Sequence, residues 1–235
     1  MLPITGLQKT TLLDYPGVLA STIFLGGCNF RCTFCHNSQF LALSDDVPLL
    51  SEEEVLSHLT KRASVLKGVC ITGGEATLYP ALPAFIREIK ALRYLVKLDT
   101  NGTNPSMLKA LIADKLLDYI AMDIKADTAH YHSICGFSDS LVFSPYLSAI
   151  KESISITKQS GIPYEFRTTV CDGFHTEEML LGICQLTGGG QTFAIQNFKD
   201  STFVPDHTLG SFSDVMLKKF ETICIPYFDS VILRT

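Results

Sequence analysis

No block of like charges in this 235-residue sequence is long enough to suggest a nucleic-acid or membrane patch, and 19 Lys plus Arg against 24 Asp plus Glu leave a net charge of −5. Without a basic patch the chain has no electrostatic footprint for nucleic acid or for an anionic membrane surface, so neither is expected as a partner. No apolar run approaches the length that a membrane-spanning helix requires. The opening M-L-P-I-T-G-L-Q-K-T-T-L-L-D-Y-P-G has a single early Lys, and Asp14, Pro16 and Gly17 break its apolar run. It therefore lacks the layout of a signal peptide, and a cytoplasmic location is expected. Internal repeats, low-complexity tracts and linkers are absent as well. With 46% hydrophobic and 18% charged residues, this implies one globular domain over residues 1–235.

What the sequence does contain is cysteine. Eight cysteines in a chain with no export signal point to metal or redox chemistry before disulfides. Cys70, Cys135, Cys171, Cys184 and Cys224 are scattered without ligand spacing and read as structural. Cys28, Cys32 and Cys35 are clustered.

Apolar or β-branched runs at 18–25, 68–72, 94–98, 118–124, 163–170 and 192–196 predict six strands, several of them near-continuously apolar as buried parallel strands are. Helical patterns lie between them. Ser51 with Glu54 forms a capping box, Asn104 precedes Pro105, Ser144 precedes Pro145 as a helix start, and Gly161 is a stop. The segment 211–224 reads as a last helix, and P-Y-F-D-S-V-I-L-R as an edge strand or a tail. The run Gly188-Gly189-Gly190 reads as a turn after a helix rather than a phosphate cradle. Such alternation implies βαβ units and a parallel sheet, either doubly wound or curled into a full or partial barrel.

The first strand runs into G-G-C-N-F-R-C-T-F-C-H-N, where the spacing C-x3-C-x2-C places three thiols in one short loop. A cubane iron–sulfur cluster normally takes four thiolates, so three hold three irons and leave the fourth open to a small chelating ligand. The competing reading is a Cys3His zinc site with His36 or a distant His, although adjacent Cys35 and His36 would chelate one ion poorly.

In parallel α/β folds the functional residues gather at the C-terminal strand ends. After the second predicted strand stand Gly73, Gly74 and Glu75, two glycines that permit close backbone approach and a carboxylate that could accept from an ammonium group. After the third stand Asp99, Thr100, Asn101 and Gly102. Asn-Gly is a hairpin signal, yet a helix start follows at once. The fourth ends in M-D-I-K, with Asp123 and Lys125 on one face as cofactor contacts or as a plain buried ion pair. In the fifth, Glu165, Arg167 and Thr169 share a face, and Arg167 could meet a cofactor carboxylate or Glu165. Gln196 closes the sixth and could face the site by position. His175 reads as an ordinary core or surface residue.

Taken together, these segments resemble the radical S-adenosylmethionine superfamily, with Phe34 as the aromatic before the last cysteine. The fold this implies is a partial (β/α)6 barrel in a single domain. The implied cofactors are a 4Fe–4S cluster on Cys28, Cys32 and Cys35, and S-adenosylmethionine, which it cleaves to a 5′-deoxyadenosyl radical under anaerobic conditions. Resemblance implies that Gly73, Gly74 and Glu75 hold the cofactor's amino group, although Ala76 stands where the family often has proline. It implies further that Asp99, Thr100 and Asn101 line the cofactor's pocket and that Asp123 and Lys125 contact its methionine and ribose parts.

The opening G-L-Q-K-T-T-L-L-D-Y-P-G is similar to that of activating proteins for anaerobic ribonucleoside-triphosphate reductase, in the glycyl-radical activating branch. That implies a glycyl radical enzyme as protein substrate and reduced flavodoxin or ferredoxin as electron donor. Alternatives are a radical enzyme acting on a small molecule or RNA, a non-catalytic iron–sulfur or zinc protein, and a methyltransferase on a doubly wound sheet.

Overall fold

The computed structural model describes residues 1–41 and 48–235. Among these residues eight strands form one sheet in sequence order: β1 (Ile4–Thr11), β2 (Ala20–Leu25), β3 (Gly68–Gly73), β4 (Leu95–Thr100), β5 (Tyr119–Asp123), β6 (Tyr164–Val170), β7 (Gly190–Asn197) and β8 (Phe228–Arg234). Strands β2 to β8 are parallel and β1 is antiparallel to β2. The helices between them are α1 (Glu52–Arg62), α2 (Leu82–Ala91), α3 (Pro105–Ala113), the short α4 (Tyr131–Ile134), α5 (Ser140–Gln159), α6 (Glu177–Thr187) and α7 (Asp214–Cys224).

This strand order decides between the two architectures left open above. A doubly wound sheet reverses direction at a switch point and so places helices on both faces. Here every crossover steps the same way, and right-handed crossovers then put all the helices on one face. The other face can be buried only by curling on itself. Six βα units from β2 to α7, ending in β8 as an edge with no pairing back to β1, make this a partial barrel in a single α/β domain.

Local chemistry explains most boundaries. Ser51 and Glu54 form the expected capping box on α1. The side chain of Asn104 accepts from Met107 N–H at the start of α3, which rules out the hairpin. Helix α2 buries Leu82, Phe85, Ile86 and Ile89, one continuous apolar stripe. The glycine run is a turn: Gly188 ends α6 in the left-handed region and Gly190 opens β7.

Two expectations are corrected. Helix α5 starts at Ser140, capped by Asp139, and carries Pro145 inside it rather than at its first turn. The bond that Pro145 cannot make is offset by the extra upstream turn, which buries Phe143 against Phe30, Tyr131, Phe137 and Tyr146 at centroid distances of 5.1–5.9 Å. Among the described residues the strands number eight rather than six. The tail becomes the parallel edge strand β8, and β1 is an irregular edge with two register shifts, poor in the apolar periodicity that reveals interior strands.

Candidate active site

The cysteine loop leaves the end of β2 and is pinned at both of its aromatics. Phe30 is buried in the α4–α5 aromatic cluster, and the ring of Phe34 packs on Phe174 and His175 at 6.4 and 5.9 Å. Between these anchors Cys28, Cys32 and Cys35 all open onto one cavity of about 380 Å³ at the C-terminal strand ends. Phe34, Gly73, Gly74, Asp99, Thr100, Asn101, Asp123, Lys125, Arg167, Thr169 and Gln196 lie on the same wall.

Glu75 is the exception. Its carboxylate is fully buried and does not reach the cavity. It accepts from Thr77 N–H and hydroxyl (3.1 and 2.5 Å), the Thr100 hydroxyl (2.8 Å) and Asn101 N–H (2.6 Å), tying the end of β3 to that of β4. Burial pushes its pKa up, against the pull of those donors. The Glu75 carboxylate thus serves as a stitch between the two strand ends, and Gly73 and Gly74 are what face the cavity. A Cβ on Gly74 would collide with the Gly27 carbonyl, and one on Gly73, at φ +117°, with the Leu25 backbone. The glycines let β3 press against the start of the cysteine loop, where Glu75 N–H bonds the Gly27 carbonyl at 2.8 Å.

Arg167 lines the cavity and does not pair with Glu165. From β6 it bridges Asp99 of β4 (3.0 Å) and Asp123 of the neighbouring β5. Asp123 in turn holds Lys125 at 2.9 Å, and Lys97 pairs with Asp99. Cations and carboxylates thus alternate across β4, β5 and β6. The neighbouring Arg167, Lys97 and Lys125 hold Asp99 and Asp123 below the usual carboxylate range in spite of burial.

The thiols differ in environment. Burial pushes Cys28 up to about 12 and raises Cys35, whereas a bond from Cys135 lowers Cys32. Cys135 thus sits behind the loop rather than in an unrelated part of the core, and its carbonyl accepts from Arg31 N–H at 3.0 Å. Sequence reading missed it, because an isolated cysteine has no spacing to betray it. Asp14 was also missed; it lines the cavity while accepting from the Thr22 hydroxyl at 2.5 Å.

The donor set suits an iron–sulfur cluster better than zinc. Cys28, Cys32 and Cys35 open together onto the cavity, and a cubane spreads its thiolates over separate irons. His36 is committed through Nε2 to the Lys199 carbonyl at 2.7 Å, with its ring stacked on Phe198. Phe30 N–H points at Cys28 Sγ, 3.4 Å away, as amides do toward metal-bound thiolates.

A partial barrel with a three-cysteine loop and a polar cavity at its strand ends defines the class, and comparison with known proteins gives the family. The model of the Radical SAM superfamily matches residues 22–186, and the chain belongs to that family. The cofactors of its members are a 4Fe–4S cluster and S-adenosylmethionine.

A Methanocaldococcus jannaschii protein, provisionally named a glycyl-radical enzyme activating enzyme, is 29% identical over 99% of this chain and 95% of its own. The pyruvate formate-lyase-activating enzyme of Clostridium pasteurianum is 25% identical over 95% of this chain and 87% of its own. Streptococcus suis SuiB bound to S-adenosylmethionine shares the fold, with a TM-score of 0.65 at 15% identity over 88% of this chain and 48% of its own. No helix among the described residues is long and apolar enough to cross a membrane.

Proposed function

We propose that this chain holds a 4Fe–4S cluster on Cys28, Cys32 and Cys35, cleaves S-adenosylmethionine reductively, and takes a hydrogen atom from a glycine of a partner such as anaerobic ribonucleoside-triphosphate reductase. It does so in the cytoplasm, with reduced flavodoxin or ferredoxin as electron donor. The observation that carries this reading is the meeting of the three cysteines with Asp99, Asp123, Lys125 and Arg167 on one cavity. The activating enzymes similar to it over most of their length support the glycine as target.

When bound and reduced, the cluster supplies one electron to the sulfonium of S-adenosylmethionine, giving methionine and a 5′-deoxyadenosyl radical. The chain's own residues bind and orient. Asp99, Asp123 and the carbonyls of Gly73 and Gly74 offer acceptors to an ammonium group, and Lys125, with a single carboxylate partner, offers donors to a carboxylate. Phe34 and Phe30 make the loop's dry side, so the reacting carbon meets little water.

The test is anaerobic reconstitution with iron and sulfide, reduction with dithionite, and assay of 5′-deoxyadenosine in wild type and Cys32→Ala. Product from wild type alone is expected, followed by a glycyl radical signal when the partner reductase is added. An intact cluster with no product would overturn the cleavage. Product without any protein radical would turn the reading toward a small molecule or RNA as substrate.

A further inference from the structure

A closed ring of hydrogen bonds stands beside Cys28. Asn29 Nδ2 donates to Thr103 Oγ1 (2.8 Å), Thr103 Oγ1 donates to Asn101 Oδ1 (2.7 Å), and Asn101 Nδ2 donates to Asn29 Oδ1 (2.9 Å). Thr103 N–H also donates to Asn101 Oδ1 at 3.0 Å. That last bond removes the ambiguity of the amide orientation. A backbone N–H can only donate, so the atom receiving it is the carboxamide oxygen, and the other branch is the nitrogen.

Asn101 Nδ2 carries two hydrogens. One is spent on Asn29, and the other is directed at Cys28 Sγ, 4.0 Å away. Asn101 is buried at 6% exposure, so water has little access to compete for it. Asn29 and Thr103 are not on the cavity wall, and they hold Asn101 from the cysteine loop on one side and from the turn after β4 on the other. Asn29 Oδ1 itself lies 4.0 Å from Cys28 Sγ, whereas Thr103 reaches the thiol's surroundings through Asn101.

We propose that Asn29 and Thr103 are positioning residues that lock the Asn101 carboxamide with an N–H on the Cys28 sulfur, and thereby raise the reduction potential of the cluster. The inference rests on the reading of Cys28 as a cluster ligand. An N–H dipole pointing at a thiolate stabilises the state with more negative charge, which is the reduced one, and outer hydrogen bonds of this kind are a recognised control on cluster potential. A ring serving only to staple the loop to β4 would change stability and leave the potential alone.

The experiment is potentiometric titration of the anaerobically reconstituted protein without S-adenosylmethionine, following the reduced cluster by electron paramagnetic resonance. Wild type is compared with Thr103→Val and Thr103→Ser, each with measured iron and sulfide content. Thr103→Val at full iron load is expected to move the midpoint to more negative potential, lowering the ratio of reduced to oxidised cluster at the wild-type midpoint by about tenfold, or ~59 mV for a one-electron couple. Thr103→Ser, which keeps the hydroxyl, is expected to stay at the wild-type value. A wild-type midpoint in fully loaded Thr103→Val would overturn the proposal.

Should Thr103→Val not load, Thr103→Ala, which also lacks the hydroxyl, carries the same test with the same two outcomes. Cys28→Ala keeps the failures apart. If that variant assembled a full cluster, the ligand reading itself would fall, whereas a cluster lost in Cys28→Ala but unmoved in potential by Thr103→Val defeats the positioning role alone.

Discussion

Arg234 of β8 reaches across β7 and grips Glu165 of β6 at 2.6 and 3.0 Å. Glu165 is buried, its side chain 1% exposed, with the Tyr119 hydroxyl 3.5 Å from the same carboxylate. Strands β6 and β8 are not hydrogen-bonded neighbours, so this pair ties the open edge of the barrel to its body through the interior.

Removal of the cation should therefore leave a buried carboxylate without a charged partner. Arg234→Met is expected to cost about 3 kcal/mol in denaturant unfolding. The double variant with Glu165→Gln should recover much of that loss, since the uncompensated charge is gone. Equal loss in both variants would mean that packing, not charge, sets the cost.

Glu75→Gln tests the stitch between β3 and β4. The carboxylate receives four donors, and an amide must turn an N–H toward one of them. A loss of about 2 kcal/mol is expected in thermal or urea unfolding. If Glu75 instead touched the cofactor, stability would hold while affinity for S-adenosylmethionine fell.

Gly74→Ala should disturb the cysteine loop from outside it. The new methyl collides with the Gly27 carbonyl, which belongs to backbone and cannot swing away. At least about 2 kcal/mol of stability should go, together with iron content after reconstitution. Full iron loading in this variant would show that the loop adapts.

His175 supplies a pH signature. Its Nδ1 accepts from Cys171 N–H at 3.1 Å, so Nε2 carries the proton and donates to the Lys125 carbonyl at 3.1 Å. Burial lowers its pKa from 6.5 to about 4, so between those values the unfolded chain binds the extra proton and the folded one does not. Stability from this group is complete above 6.5, declines as pH falls toward 4, and changes no further below, a span of about 3 kcal/mol. His175→Gln should flatten that part of the stability profile while wild type retains it. The same slope in both proteins would refute the assignment.

Much of the site could be read from the sequence because its parts are local. The C-x3-C-x2-C spacing confines three thiols to one loop whatever the fold does. Asp123 and Lys125, two apart on a strand, must share a face. At the site, what the sequence left open is partners. Nothing in G-G-E tells whether the carboxylate turns to the cavity or to the neighbouring strand, since Thr77, Thr100 and Asn101 arrive from 2 to 26 residues away. Arg167 was weighed against Glu165 because both lie on one face of β6. The structure gives it Asp99 and Asp123 from other strands, and gives Glu165 to Arg234. Pro145 misled because a proline rule about first turns says nothing of the aromatic packing that extends α5 beyond it.

By itself the sequence determined that three thiols share one loop and in what order the interior strands and their helices come, because thiol spacing, capping and apolar periodicity act over a few residues. Only the tertiary structure decided that the sheet curls rather than opens, and which charge answers which. Those depend on strand order and on side chains brought together across the barrel interior, where burial makes each pairing consequential.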